Sequence, residues 1–223
     1  MVNKIDVTPA TNPQQAKWNR RYRQAEESSA AKEAARVLSD NLHLLPRQGE
    51  ALDLACGLGA NALVLARAGL STQAWDLSDV AIDRLQQLAE QQGLPIKACC
   101  VDLDRDALRP ESFDVICVSS FLDRALCPAI TAALRPGGIL FYQTFTKARR
   151  GKSGPGNPDF LLGQAELLRL FSDLMPLVYR EEMNCGRSFE GLADKELAHQ
   201  VLSDKGLPDQ AYLVALKTIL EPL

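Results

Sequence analysis

Histidine is almost missing from this chain: His43 and His199 are the two in 223 residues. No cysteine pair has the C-x-x-C spacing of a zinc site, so metal-centred chemistry has no ligand framework and no metal is expected. The six cysteines are equally poor material for a disulfide scaffold. Cys56 lies in a glycine turn. Cys99 and Cys100 are neighbours that an extended strand sends to opposite faces, and Cys117 lies in another apolar run. They read as small apolar residues in a reducing compartment, which makes a cytoplasmic protein the expectation. Long apolar runs are absent too. None reaches the ~18 to 20 residues of a membrane span, and Met1-Val-Asn-Lys-Ile-Asp-Val-Thr-Pro9 has no apolar stretch of a secretory signal, so no membrane partner is expected. A net charge of −3 argues against a broadly basic face for nucleic acid. No repeat or low-complexity tract interrupts the chain.

What is present is an alternation of short apolar runs with amphipathic stretches, on a length that suits one full core. Residues 1–13 carry two prolines and little apolar content, and read as a flexible tail. Residues 14–45 predict a helical cap, in which Val37, Leu38, Leu42, Leu44 and Leu45 supply a buried stripe that Pro46 closes. From Ala51 the pattern predicts strands over 51–55, 72–77, 96–102, 113–119 and 139–145. Between them lie helices over 60–68, from the N-cap Ser78 to Gly93, and over 125–134. Lys147 to Pro158 is basic, rich in glycine and proline, and reads as a lid loop. A helix over 164–173 and strands near 177–183 and 211–219 complete the chain. The fold class is α/β: a Rossmann-like, doubly wound, seven-stranded sheet with an antiparallel terminal strand and an N-terminal helical cap. No long amphipathic helix is left over, so a monomer is expected.

The most informative stretch is Ala51-Leu-Asp-Leu-Ala-Cys-Gly-Leu-Gly-Ala-Asn-Ala62, a strand that turns over Gly57 and Gly59 into a helix. Asp53 stands on that strand, Asp76 ends the next and Asp102 the one after. Strands that finish at carboxylates, the first feeding a glycine turn, describe the nucleoside-binding edge of an open sheet. Gly57-Leu-Gly-Ala-Asn-Ala62 fits G-x-G-x-x-A, so a nicotinamide dinucleotide is one reading of the hexapeptide. A carboxylate before the turn repels a pyrophosphate, however, and suits a cationic ligand.

Those residues resemble the class I S-adenosylmethionine-dependent methyltransferases. The matching pieces are Leu52-Asp-Leu-Ala-Cys-Gly-Leu-Gly59, Asp76-Leu-Ser78, Asp102, Phe113-Asp-Val-Ile-Cys-Val118 and Leu134-Arg-Pro-Gly-Gly-Ile-Leu140, in the family's order. Trp18-Asn-Arg-Arg-Tyr22 is similar to the entry segment of the tellurite-resistance and thiopurine groups. Gly59-Ala-Asn-Ala-Leu63, Phe121-Leu-Asp-Arg-Ala-Leu126, Tyr142-Gln-Thr-Phe-Thr146 and Asn157-Pro-Asp-Phe-Leu-Leu162 resemble the tellurite-resistance-like branch. Ala55 departs from the family, which has its first loop glycine there. Gly186-Arg-Ser188 departs from the tellurite type, which has a histidine or a second basic residue.

The resemblance implies a single domain over 1–223, with a cofactor-binding half over 50–146 and a lid and substrate half over 147–223. It implies S-adenosylmethionine as cofactor, S-adenosylhomocysteine as product, and a small-molecule methyl acceptor. Ala55, Cys56, Gly57, Gly59 and Asn61 would surround the methionine end, and Asp53 would hold its ammonium, directly or through water. Asp76 with Leu77 would take the ribose, Asp102 with Leu103 the adenine. Ser119 and Phe121 would wall the reaction end, and Trp18, Tyr22, Arg124 and Arg149 would face the acceptor. Other readings stay open at this point: Asp53 and Asp76 as caps of backbone amides, Trp18 and Tyr22 as core, Arg124 and the basic run as solvated surface, and a chain that binds the cofactor and transfers nothing.

Overall fold

The computed structural model describes residues 12–24, 33–103, 108–148, 154–182, 207 and 209–219. Its centre is a sheet of β1 (Glu50–Leu54), β2 (Ser71–Asp76), β3 (Ile96–Cys100), β4 (Phe113–Ser119), β5 (Leu134–Phe145), β6 (Met175–Glu181) and β7 (Gln210–Leu216), in the order β3-β2-β1-β4-β5-β7-β6. The first five strands pair in parallel, while β7 runs antiparallel to both β5 and β6. The order reverses between β1 and β4, and a crevice opens at such a switch point beyond the carboxyl ends of the strands.

Alternation along the strands decides what reaches that crevice. Leu52 and Leu54 of β1, and Ile116 and Val118 of β4, pack on one face with α5 (Cys127–Ala133) and α6 (Glu166–Leu170). Ala51, Val115 and Cys117 pack on the other, with α2 (Arg36–Ser39) and Leu65 of α3 (Ala60–Arg67). Two residues per period then sends Asp53 and Ser119 to the α3 side as well. Ala74 of β2 and Ile96 of β3 share that side with α3 and with α4 (Asp79–Gln91). The side chains at the ends of β1, β2 and β4 therefore gather where α3 begins.

The expected N-cap of α4 is present: the Ser78 hydroxyl accepts from Ala81 N–H at 3.2 Å. The described part of the helical cap departs from its sequence past residue 33. α1 (Pro13–Gln24) is helical, but after residue 33 the chain makes the single turn of α2 and a 3-10 turn, Leu42–Leu44. Val37 and Leu38 are fully buried, whereas Leu42 is 44% exposed, so the expected five-residue stripe is broken. The five described cysteines are free thiols; Cys56, Cys117 and Cys127 are buried, but Cys100 is exposed on the edge strand, contrary to the expectation that all serve as core. No described helix is long and apolar enough to cross a membrane.

Candidate functional site

The glycine turn carries the chain from β1 into α3 through three left-handed residues set at every second position. Ala55 has φ 54°, Gly57 φ 53° and Gly59 φ 79°. An alanine in that region carries a Cβ clash, which is the physical reason the family places a glycine where this chain has Ala55. The two glycines serve different neighbours. A Cβ at Gly57 would stand 2.7 Å from the Tyr22 hydroxyl, above the turn. A Cβ at Gly59 would overlap the Leu85 side chain of α4. Gly59 thus makes room for helix packing, so its absent side chain is not spent on a ligand alone, as the resemblance implied.

Asp53 is wholly buried. Its carboxylate accepts from Ala62 N–H at 2.9 Å and from the Asn61 amide at 3.4 Å. It therefore caps the first turn of α3, and its contacts are those of the capping alternative. Asp76 accepts from Gly57 N–H at 2.8 Å and Ser78 N–H at 2.9 Å, one on each oxygen. That fixes the turn and leaves each oxygen a second lone pair for a ribose hydroxyl. Burial lifts both acids above the usual carboxylate range, Asp53 to about 7, against the lowering effect of their hydrogen-bond donors. Neither has a cationic partner among the described residues.

Helix α1 lies across this edge. Asn12 donates to Asp102 at 3.0 Å, and Gln15 to the Cys100 sulfur at 3.6 Å. Asn19 accepts from the Ser78 hydroxyl at 2.6 Å, and Arg84 donates to the Tyr22 carbonyl at 2.7 Å. Residues 12, 15, 19 and 22 are spaced three, four and three apart, one face of a helix. That polar stripe runs from the end of β3 past β2 to the β1 turn, and it is the signal in the sequence that would have identified Asn12, Gln15 and Asn19 as site residues. Trp18 stacks on Tyr22 with ring centroids 6.0 Å apart, and Arg21 lies over its outer face. Burial, with Asp76 and Cys56 nearby, pushes the Tyr22 hydroxyl far above its ordinary range, so it stays protonated.

At the reaction end, Ser119 closes β4 and Ser120 follows with φ 56°. The Phe121 carbonyl accepts from the buried Tyr142 hydroxyl at 3.0 Å, which fixes the wall of the crevice. Leu103 and Phe121 pack partly buried against the core on the α5 side. Arg124 is engaged within the chain. Its guanidinium donates to both Glu166 oxygens, at 2.7 and 3.0 Å, and to the carbonyls of Asp159 and Leu161. It is a clasp that ties the segment before α6 to the start of α5, which simple solvation does not describe. Arg149, Arg150, Lys152 and Gly186-Arg-Ser188 lie outside the described residues. Of the expected lid, Gly154 lies so close over the Phe145 ring that a Cβ would collide with it.

These residues fit an adenosyl cofactor with a cationic, phosphate-free tail. The glycine turn gives a cradle under Tyr22, the ends of β2 and β3 give hydroxyl and amine acceptors, and two buried carboxylates stand with no cationic partner among the described residues. Residues 51–138 match the methyltransferase domain family. Over that segment the chain is similar to the class I S-adenosylmethionine-dependent methyltransferases. That family's cofactor is S-adenosylmethionine. Among curated relatives, Hemagglutinin 1 of Eikenella corrodens is 33% identical over 139 residues, which is 58% of this chain and 45% of that protein. A ubiquinone biosynthesis O-methyltransferase of Coxiella burnetii is 32% identical over 101 residues, 43% of each. The chain thus spans less than half the length of these relatives. Among solved structures, TehB from Haemophilus influenzae has a TM-score of 0.60 at 22% identity, over 82% of this chain and 61% of that one, a likeness of fold.

Proposed function

We propose that this chain transfers a methyl group from S-adenosylmethionine to a small-molecule acceptor by in-line displacement. The observation that carries the reading is the pair of buried carboxylates, Asp53 and Asp76, set around a glycine turn with no cation among the described residues to balance them. The bound cofactor supplies a methyl group on a sulfonium that departs as a neutral thioether, so no acid is needed at the leaving group. The chain's own task is positioning and exclusion of water. Tyr22 and Trp18 roof the turn, Asp76 holds the turn's Gly57 amide in place, and Ser119, Ser120 and Phe121 wall the side from which an acceptor approaches. His43 lies in the 3-10 turn ahead of β1 and is not among the described residues gathered at this edge, which supports an acceptor that is already nucleophilic, such as a soft anion or a thiolate. The segments similar to the tellurite-resistance-like branch, Gly59–Leu63 and Phe121–Leu126 among them, support the same acceptor class.

The test is thermal unfolding with S-adenosylhomocysteine. At a hundred times its Kd a ligand stabilises by ~2.7 kcal/mol, which raises the melting temperature of a chain this size by about 5–10 °C. Methyl release onto a panel of thiols, selenols and phenols then separates transfer from binding. Protection by NAD or NADP, with none from the thioether, refutes the reading.

A further inference from the structure

Asn61 is the second residue of α3, is 4% exposed, and uses its whole carboxamide. Its Oδ1 accepts from Ala35 N–H at 2.8 Å. A backbone N–H only donates, so that bond fixes which way the amide faces. The Nδ2 then points at the two groups opposite: Asp53 Oδ1 at 3.4 Å and Ser119 Oγ at 3.0 Å. Ser119 is therefore the acceptor in its bond with Asn61. A hydroxyl that accepts through its oxygen still has one proton to give, and among the described residues nothing takes it. Ser119 closes β4 beside the switch point, half-buried, at the edge of the crevice.

We propose that Asn61 is a positioning residue that holds Ser119 as a hydrogen-bond donor, and that the donor serves the carboxylate at the amino-acid end of the adenosyl ligand. The inference rests on the cofactor reading above and gives that site a polarity: a carboxylate on the α3 side, Asp53, toward the ligand's ammonium, and a hydroxyl proton on the β4 side toward its carboxylate. Sequence position alone does not reveal this, because Asn61 and Ser119 are 58 residues apart and the direction of their bond depends on a third group, Ala35.

The experiment compares S-adenosylhomocysteine with 5′-methylthioadenosine, which keeps the adenosyl and sulfur groups and lacks the amino-acid end. Calorimetric titration of Ser119→Ala should show an affinity for S-adenosylhomocysteine lower by about tenfold, the loss of one bond to a charged group, with methylthioadenosine within about twofold of the unaltered protein. Ser119→Thr keeps a hydroxyl and should retain both affinities. Asn61→Ala frees the hydroxyl to turn, and Asn61→Asp, of nearly equal volume, claims its proton; each should reproduce the selective loss. Adding Ser119→Ala to either should cost nothing further, since the variants break one unit. Equal losses for both nucleosides, or none, in Ser119→Ala overturn the donor role. A selective loss in Ser119→Ala with unaltered binding in Asn61→Asp overturns the positioning role. An unaltered protein that binds neither nucleoside fails the cofactor reading itself, and this inference with it.

Discussion

Binding of a cationic adenosyl ligand should expel a proton from Asp53. The group is fully buried, its partners are the neutral donors of Asn61 and Ala62, and burial lifts it to about 7. At pH 6 such an acid is about nine-tenths protonated, and at pH 8 about one-tenth. An ammonium beside it favours the ionised form. Binding at pH 6 should then release about 0.9 proton and be weaker by about tenfold than binding at pH 8, where release falls to about 0.1. Titration of S-adenosylhomocysteine in buffers of different ionisation enthalpy reads this directly: heats should diverge with buffer at pH 6 and converge at pH 8. Asp53→Asn should remove the divergence. Buffer-independent heats at pH 6, or a divergence that survives the substitution, refute the reasoning. Stability without ligand carries the same signature. The folded-state value lies above the unfolded ~3.9, so the native chain holds the extra proton between about pH 4 and 7. Stability contributed by Asp53 therefore falls as pH rises through that window, by about 4 kcal/mol in all, and levels off above it. Asp76, raised for the same cause, adds in the same direction.

The glycines should separate binding from stability. Gly57→Ala sets a Cβ 2.7 Å from a hydroxyl at the end of a movable side chain. Calorimetry should show cofactor affinity lower by at least about tenfold with the melting temperature down by only a few degrees, ~1 kcal/mol at a left-handed position. Gly59→Ala drives a Cβ into Leu85 at φ 79°, and calorimetric unfolding should register a loss of about 2–4 kcal/mol. Arg124→Gln removes the clasp on the segment before α6. With Arg124 about one-third exposed the stability cost is held to about 1 kcal/mol, but amide exchange over 158–166 should accelerate, and unchanged exchange there would refute the clasp.

Strands and acids were legible because both follow from period two and from the strand ends. Once Leu52 and Leu54 face one layer, Asp53 has only the other, and the same count places Ser119. What was not legible depends on partners distant in the chain. Arg124 reads as a helix-start cation until Glu166 arrives from 42 residues away. The expected helix over residues 35–45 of the cap was missed for a similar reason. The amides that begin α2 are taken by side chains of the body, Ala35 N–H by Asn61 and Val37 N–H by Gln143 at 2.7 Å, so tertiary bonds set where the turn lies and no long helix is needed to bury Val37 and Leu38. Helix α1 inverts the usual rule: its inward face is polar, because the strand ends it covers are polar, and a search for apolar periodicity passes over it.

The hexapeptide Gly57-Leu-Gly-Ala-Asn-Ala62 fits a dinucleotide fingerprint, yet its physics here is the reverse. A pyrophosphate needs the bare amides at the start of the helix that follows the turn. In this chain internal acceptors already serve the helix start and the turn before it: Asp53 accepts from Ala62 N–H in the first turn of α3, and Asp76 accepts from Gly57 N–H in the turn. A phosphate brought near would lose those donors and meet two buried carboxylates, each worth ~4 kcal/mol of repulsion at 4 Å for an effective dielectric near 20. An ammonium or sulfonium at the same distance meets attraction of the same size. The selectivity of the crevice thus follows from which group satisfies the first turn of α3. A carboxylate from the chain does so here, and the ligand is left to supply the positive charge.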